Sequence, residues 1–191
     1  MGTSRNELIE LLSNQPNDPS LSQRIVELEA EQPADLKRDA DALEGVWELR
    51  WSSSNQPWLK QSPWLNNLQI LDPVNGRGCN LLTLGGPLGS LGGISVEAAL
   101  NILNSTRIEV TFHRGGWVGP RLRGAQGLKL MRDVKQSFPA WLDITVVDDQ
   151  LRICRGNAGT TFALLRRHDK QIADYISAPP SSTEAQHQHD K

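Results

Sequence analysis

The residue types that most often carry catalysis are present in this chain, but they lack the spacing that catalysis needs. The glycine-rich stretch 85–93 has no Gly-Lys-Ser/Thr ending, which a phosphate-binding P-loop requires. Ser90 has Leu88 where a nucleophile elbow needs glycine. The four histidines show no metal-ligand spacing, and two of them lie near the end of the chain. We therefore expect no catalytic residue, no metal and no cofactor, and we predict that the protein is not an enzyme.

Three acids cluster around one predicted hairpin. Asp148 and Asp149 are expected to stabilise its turn, because aspartate readily hydrogen-bonds the nearby backbone. Asp143 is different, since it is the lone acid on an otherwise apolar strand. It is expected either to pair with Arg152 or Arg155 on the next strand or to offer a hydrogen bond to a ligand.

The composition indicates a soluble protein of a reducing compartment. The 191 residues carry a net charge of -2 and two cysteines, too few for a disulfide framework. No signal peptide is recognisable, and no apolar run approaches the ~20 residues that cross a bilayer. We expect a cytoplasmic location. Residues 114–135 carry six basic and one acidic side chain. This basic strip is expected to be a solvated loop, and the alternative is a surface that faces lipid headgroups or nucleic acid. Nucleic acid is not expected as a partner.

Most of the chain after residue 43 alternates apolar and polar residues with a period of two. Such runs, separated by polar turns, predict consecutive antiparallel strands. About eight or nine can be placed, which is the number of strands at which a barrel interior fills with side chains or admits one ligand. The predicted fold is mainly β, a lipocalin-like antiparallel β-barrel over residues 43–168.

Residues 1–42 precede the barrel and show helical periodicity, with leucines and isoleucines on one face. These amphipathic helices are expected to pack on the barrel, although docking of a protein partner is an alternative. Residues 169–191 are predicted to be a disordered tail, because the stretch 177–191 is polar and rich in proline and serine.

Six tryptophans stand out in this barrel, and two positions suggest how it closes. Trp47 in the first strand and Arg166 in the last are predicted to stack as a structural pair, as in lipocalin-like barrels. Trp58, Trp64 and Trp117 lie in predicted loops or at the basic strip. They are expected either at the mouth of a pocket or at a membrane interface, because indole is apolar with a polar N–H. For Trp58 and Trp64 an equally favoured alternative is that their loop folds back onto the barrel.

Two motifs resemble the plastid lipid-associated protein (PAP) or fibrillin family. Leu43-Glu-Gly-Val-Trp-Glu-Leu-Arg-Trp-Ser-Ser53 is similar to the opening of that domain. The segment from Asp143 through Leu151-Arg-Ile-Cys-Arg-Gly156 to Leu164 is similar to its closing motif. Val146-Val147 departs from the Tyr-Leu usual there, so any contact of that tyrosine is missing. Without a transit peptide, the chain resembles a cyanobacterial-type member.

The resemblance implies binding or transport of a small hydrophobic molecule, such as a lipid, quinone or carotenoid, with peripheral contact at photosynthetic membranes or lipid bodies. Protein partners are unknown. Two alternatives stay open: a factor that handles chromophores or tetrapyrroles, and a scaffold whose barrel is filled by its own side chains. In the leading hypothesis, Asp143 or Arg155 orients the ligand. The predicted lining consists of Leu49, Trp51, Ile108, Val110, Phe112, Ile144, Ile153 and Phe162.

Overall fold

The computed structural model describes residues 2–85, 91–120 and 128–176. Within these ranges the chain is mainly β. The helices are α1 (Gly2–Asn14), α2 (Leu21–Glu31) and α3 (Leu36–Asp39), and short 3-10 segments lie at Ala40–Leu43, Pro57–Leu59 and Ile172–Asp174. The strands are β1 (Gly45–Ser52), β2 (Leu65–Asp72), β3 (Arg77–Leu84), β4 (Gly93–Ile102), β5 (Arg107–Val118), β6 (Lys129–Asp133), β7 (Ala140–Val147), β8 (Leu151–Gly156) and β9 (Thr161–Arg166).

The nine strands pair in one antiparallel sheet that closes on itself. The order is β4-β3-β2-β1-β9-β8-β7-β5-β6, and a further pairing of β4 with β5 closes the ring, with β6 left as an edge strand on β5. Because β5 has 12 residues, its first part pairs with β7 and its last part with β6. The result is a barrel-like ring in which the first and last strands meet, and this confirms the predicted mainly β fold.

Irregularities in the pairing change which face a side chain occupies. The register of β1 against β9 shifts between Leu49 and Trp51, and that of β7 against β8 shifts between Ile144 and Val146. A bulge adds a residue to one strand and breaks the strict alternation of faces. Leu49 and Ile144 therefore point into the ring, whereas Trp51 and Val146 pack on its outside.

One end of the ring is filled by side chains. Trp47 and Leu49 of β1 pack there with Leu71, Ile108, Ile144, Cys154 and Leu164 from other strands. Leu36 and Leu43, from the segment that follows α2, belong to the same cluster and cover this end. We refer to it as the closed end.

The two N-terminal helices lie on the outside of the ring. Five of their side chains are buried against Val146, Leu151, Ile153 and Ala163 of the sheet; they are Leu8, Leu12, Leu21, Ile25 and Leu28. Polar contacts fix the helices further, because Arg5 makes two hydrogen bonds of 2.7 Å to the Asp148 carboxylate. Arg50 donates to the carbonyl oxygens of Leu12 and Ser13 at the end of α1. The apolar face of the helical segment is therefore occupied by the barrel.

The ordered chain extends beyond the predicted boundary at residue 168. Residues 169–176 were expected to belong to the disordered tail, but Ile172–Asp174 forms a 3-10 turn. Ile172, Tyr175 and Ile176 pack on an outer cluster of β1, β2 and β3 side chains. This apolar contact corrects the boundary, while residues 177–191 lie outside the described part of the chain.

Candidate ligand-binding cavity

A cavity of about 420 Å³ lies inside the ring, at the end opposite Trp47. This volume falls within the range of small-molecule sites. Strands β2, β3, β4, β5, β7 and β9 supply most of the wall, and the lining is largely apolar. Its side chains include Leu71, Leu82, Val96, Leu100, Val110, Phe112, Leu142 and Phe162.

Two aromatic side chains line the cavity and remain more than half exposed, which places them at its mouth. Trp58 is 52% exposed and Phe138 is 59% exposed. The Asn67 side chain donates to the Trp58 carbonyl oxygen at 3.2 Å. Gln136 donates to the Phe138 carbonyl oxygen at 2.7 Å and accepts from the Phe112 amide at 2.6 Å. Side-chain amides therefore hold both mouth segments against the strands.

Polar groups lie toward the closed end of the cavity. Gln69 of β2 lines it, and Oε1 of the Gln69 side chain accepts a hydrogen bond from Nη2 of Arg152 on β8. Arg152 is completely buried, and burial lowers its pKa to about 10. Its Nε and Nη1 have no hydrogen-bond partner among the described residues. The sheet thus holds a buried, protonated guanidinium that is not itself part of the cavity lining but is hydrogen-bonded to Gln69, which is.

Two guanidinium groups lie close to the Trp47 indole ring. The centre of the ring lies 4.3 Å from Cζ of Arg166 and 5.1 Å from Cζ of Arg152. The predicted contact of Trp47 with Arg166 is therefore present. Arg166 also donates to the carbonyl oxygens of Ala42 and Asp149 at 2.7 Å, and to that of Glu44. These bonds tie β9 to the segment before β1 at the closed end.

The predicted lining residues separate into three groups. Val110, Phe112 and Phe162 line the cavity. Leu49, Ile108 and Ile144 point into the ring but are buried in the cluster at the closed end, away from the cavity wall.

Trp51 and Ile153 were expected inside the ring and lie outside it, under the helices. For Trp51 the reason is the bulge after Leu49. For Ile153 the reason is that β8 is buried on both faces. In β8 the alternating apolar residues Leu151 and Ile153 lie on the outer face, under the helices, and Arg152 between them faces inward.

Asp143 and Arg155, expected to orient a ligand, are engaged in ion pairs outside the cavity lining. Asp143 accepts two hydrogen bonds from Arg107, at 2.6 and 2.7 Å, and this pairing lowers the pKa of its carboxyl. Arg107 was not among the cationic partners predicted for it. Arg155 binds the carboxylate of Glu29 on α2. Both residues thus have structural partners.

Trp64 and Trp117 lie beyond the mouth. Trp64 is 69% exposed. Trp117 of β5 stands in register with Ile94 of β4 and Leu130 of β6, so these three side chains share one face of the sheet. All three are exposed, and so are Lys129, Arg132 and Lys135 of the basic strip. Arg114 of the strip is exposed as well, whereas its other two members, Arg121 and Arg123, and most of the glycine-rich stretch 85–93 lie outside the described residues.

Among the described residues, no three His, Cys, Asp or Glu side chains are grouped closely enough to hold a metal ion. No helix in this part of the chain has both the length and the apolar character needed to cross a membrane.

The PAP_fibrillin family model matches residues 11–165, well over half of the chain. The chain belongs to the PAP/fibrillin family. No curated protein matches it significantly. The family match runs from α1 to β9, so the strands of the PAP/fibrillin ring and every cavity-lining residue lie within it. The cyanobacterial-type assignment stays a prediction.

Sequence reasoning did not find Gln69 and Arg152 of this PAP/fibrillin cavity. The signal was present in both strands, because Gln69 interrupts the apolar run 68–71 and Arg152 stands between Leu151 and Ile153. A polar residue between apolar neighbours normally indicates the solvent face. Here the helices and the C-terminal segment cover the outer face, so the polar residue is the inward one.

Proposed function

We propose that this PAP/fibrillin protein binds a small hydrophobic molecule, such as a lipid, quinone or carotenoid, in the cavity inside its ring, and that it carries or stores that molecule without transforming it. The observation that carries the proposal is the apolar cavity itself. The ring is filled by side chains at the closed end, and the cavity opens past Trp58 and Phe138 at the other end. Family membership supports the same role.

The cavity walls can provide affinity without any reaction chemistry. Each buried CH₂ group of a ligand contributes about 0.8 kcal/mol. Phe112 and Phe162 offer aromatic surface, which accommodates chains and rings of different shapes. A scaffold filled by its own side chains is less well supported, since a volume of about 420 Å³ is left between the strands.

We further propose that the ligand enters and leaves at a photosynthetic membrane or lipid-body surface. The exposed row of Ile94, Trp117 and Leu130 continues the sheet face that lines the cavity, because Ile94 belongs to both. Exposed apolar patches of this kind mark interaction surfaces. The nearby basic side chains of Lys129 and Arg132 suit anionic headgroups.

Native mass spectrometry of the full chain, purified from a photosynthetic host and extracted with solvent, tests the cavity. We expect one lipid, quinone or carotenoid per chain. A stoichiometric linear tetrapyrrole, detected by its absorbance, would instead favour the chromophore-handling alternative. A chain that carries nothing and takes up no added lipid or quinone would refute the binding function.

Substitution of Phe112 and Phe162 by serine locates the site. Loss of both aromatic contacts should weaken binding of the ligand by about 2–4 kcal/mol, which is roughly 30- to 1,000-fold in Kd. The matched control is Val26→Ser, because Val26 is an exposed apolar residue of α2 outside the cavity. Unchanged binding in the folded double variant would show that the ligand lies elsewhere.

A further inference from the structure

Arg152 lies against the Trp47 ring, but among the described residues it forms no ion pair with a carboxylate. It is fully buried in β8, and its one side-chain hydrogen bond goes to the neutral amide of Gln69. Two of its three nitrogens lack an acceptor among the described residues. A buried cation left in this state costs free energy unless an anion reaches it.

The surroundings of Arg152 make its charge harder to hold. Besides burial, which lowers the pKa of Arg152 most, Cys154 raises it and the like-charged Arg166, which lies against the same Trp47 ring, lowers it. Arg166 has its own partners in three backbone carbonyl oxygens and faces the carboxylates of Asp149, Asp148 and Glu44. No described carboxylate forms an ion pair with Arg152. One positive charge is therefore uncompensated beside the cavity.

Gln69 connects this charge to the cavity. The Gln69 side chain lines the cavity, and its Oε1 atom accepts the hydrogen bond from Arg152. The amide nitrogen of the same group is a donor that can bind an oxygen of a ligand. Beyond Gln69 the lining is largely apolar, up to Phe112 and the mouth. The cavity thus has an apolar wall and a hydrogen-bonding group, Gln69, to which the buried Arg152 cation is bonded from behind the lining.

We propose that Arg152 and Gln69 bind the carboxylate of a long-chain acid whose chain occupies the cavity. This inference rests on the proposed binding function and names the chemical class of the ligand. A carboxylate carries one negative charge, which matches the single uncompensated guanidinium, and it accepts the forked hydrogen bonds that arginine offers. A phosphate monoester carries about −1.5 to −2 and would leave excess negative charge in a buried site.

The test compares decanoate with decan-1-ol, which have the same chain length but different headgroups, by isothermal titration of the full chain. We expect decanoate to bind about tenfold or more tightly than the alcohol, the difference that one charged hydrogen-bonded contact provides. Arg152→Met should abolish this preference and leave the affinity for decanol nearly unchanged. Arg155→Met is the matched control, because Arg155 lies on the same strand but pairs with Glu29 outside the cavity.

A second measurement uses only the wild-type chain, in case Arg152→Met does not fold. In a ¹³C NMR titration of carboxyl-labelled decanoate, the bound carboxyl should titrate below the pKa of the free acid, since a nearby cation favours the ionised form. Equal affinities for acid and alcohol, an unshifted carboxyl, or a preference that survives in Arg152→Met would overturn the carboxylate site. If neither compound nor any other apolar ligand binds, the proposed binding function fails as well.

Discussion

Replacing Ile25 by alanine tests whether the N-terminal helices are part of the folded barrel. Ile25 is 1% exposed and packs in the cluster that joins α1 and α2 to β7, β8 and β9. Val26, its neighbour in the same helix, is 55% exposed. The pair therefore offers a buried and an exposed aliphatic residue at adjacent positions.

The expected losses differ because only one substitution leaves a hole. Removing a buried isoleucine side chain to Cβ costs about 2–5 kcal/mol, from lost transfer free energy and the residual cavity. Ile25→Ala should fall at about 2–4 kcal/mol, since the helix lies on the surface and can relax toward the sheet. Val26→Ala should change the free energy of unfolding by at most about 0.5 kcal/mol, since alanine also has the higher helix propensity.

Urea unfolding followed by tryptophan fluorescence measures both variants. A thermal melt gives a second measure. For a chain of this size each kcal/mol shifts Tm by about 2–4 °C, so Ile25→Ala should lower Tm by roughly 5–15 °C. Equal free energies of unfolding for the two variants would refute the packing of α2 on the sheet. The apolar face of the helices would then be free for the protein partner that the sequence left as an alternative.

Two further predictions concern charge and the membrane. Burial raises the pKa of the Asp148 carboxyl. The hydrogen bonds from Arg5 and from two backbone amides together lower it by more, so the net shift of the pKa is downward. The ionised form therefore stabilises the fold above the ordinary pKa of about 3.9, and this contribution is lost as the pH falls below that value. Urea unfolding should show Asp148→Asn less stable than wild type by about 1–2 kcal/mol at pH 7, with the gap shrinking near pH 3; a constant gap would contradict this. Trp64→Ser should reduce co-sedimentation with anionic vesicles several-fold, because an exposed indole inserts at a membrane interface. Leu103→Ser is the control, since Leu103 is exposed at the opposite end of the ring, and it should not reduce co-sedimentation. Equal effects of the two substitutions would argue against docking by the mouth.

The sequence was sufficient to predict the strands and the meeting of β1 with β9. Local alternation and turn residues determine strands, and both are visible in a single chain. The contact of Trp47 with Arg166 was also predictable, because the first and last strands of a closed ring must be neighbours. These features depend on residues close in sequence or on closure alone.

The direction in which side chains face was predicted wrongly in β8 and in the second half of β1, because two physical features of this fold hide it there. Bulges in β1 and β7 reverse the alternation within a strand, and a bulge depends on how two distant strands pair. The helices then cover the outside of β8, so that both of its faces are dry. In such a strand the apolar residues can occupy the outer face and a polar residue the inner one. The inward Arg152 contacts the Trp47 ring and Gln69, but two of its nitrogens have no acceptor among the described residues, which is the feature that the proposed carboxylate site uses. The residue that alternation assigned to solvent is for that reason the one that best defines the chemistry of the cavity.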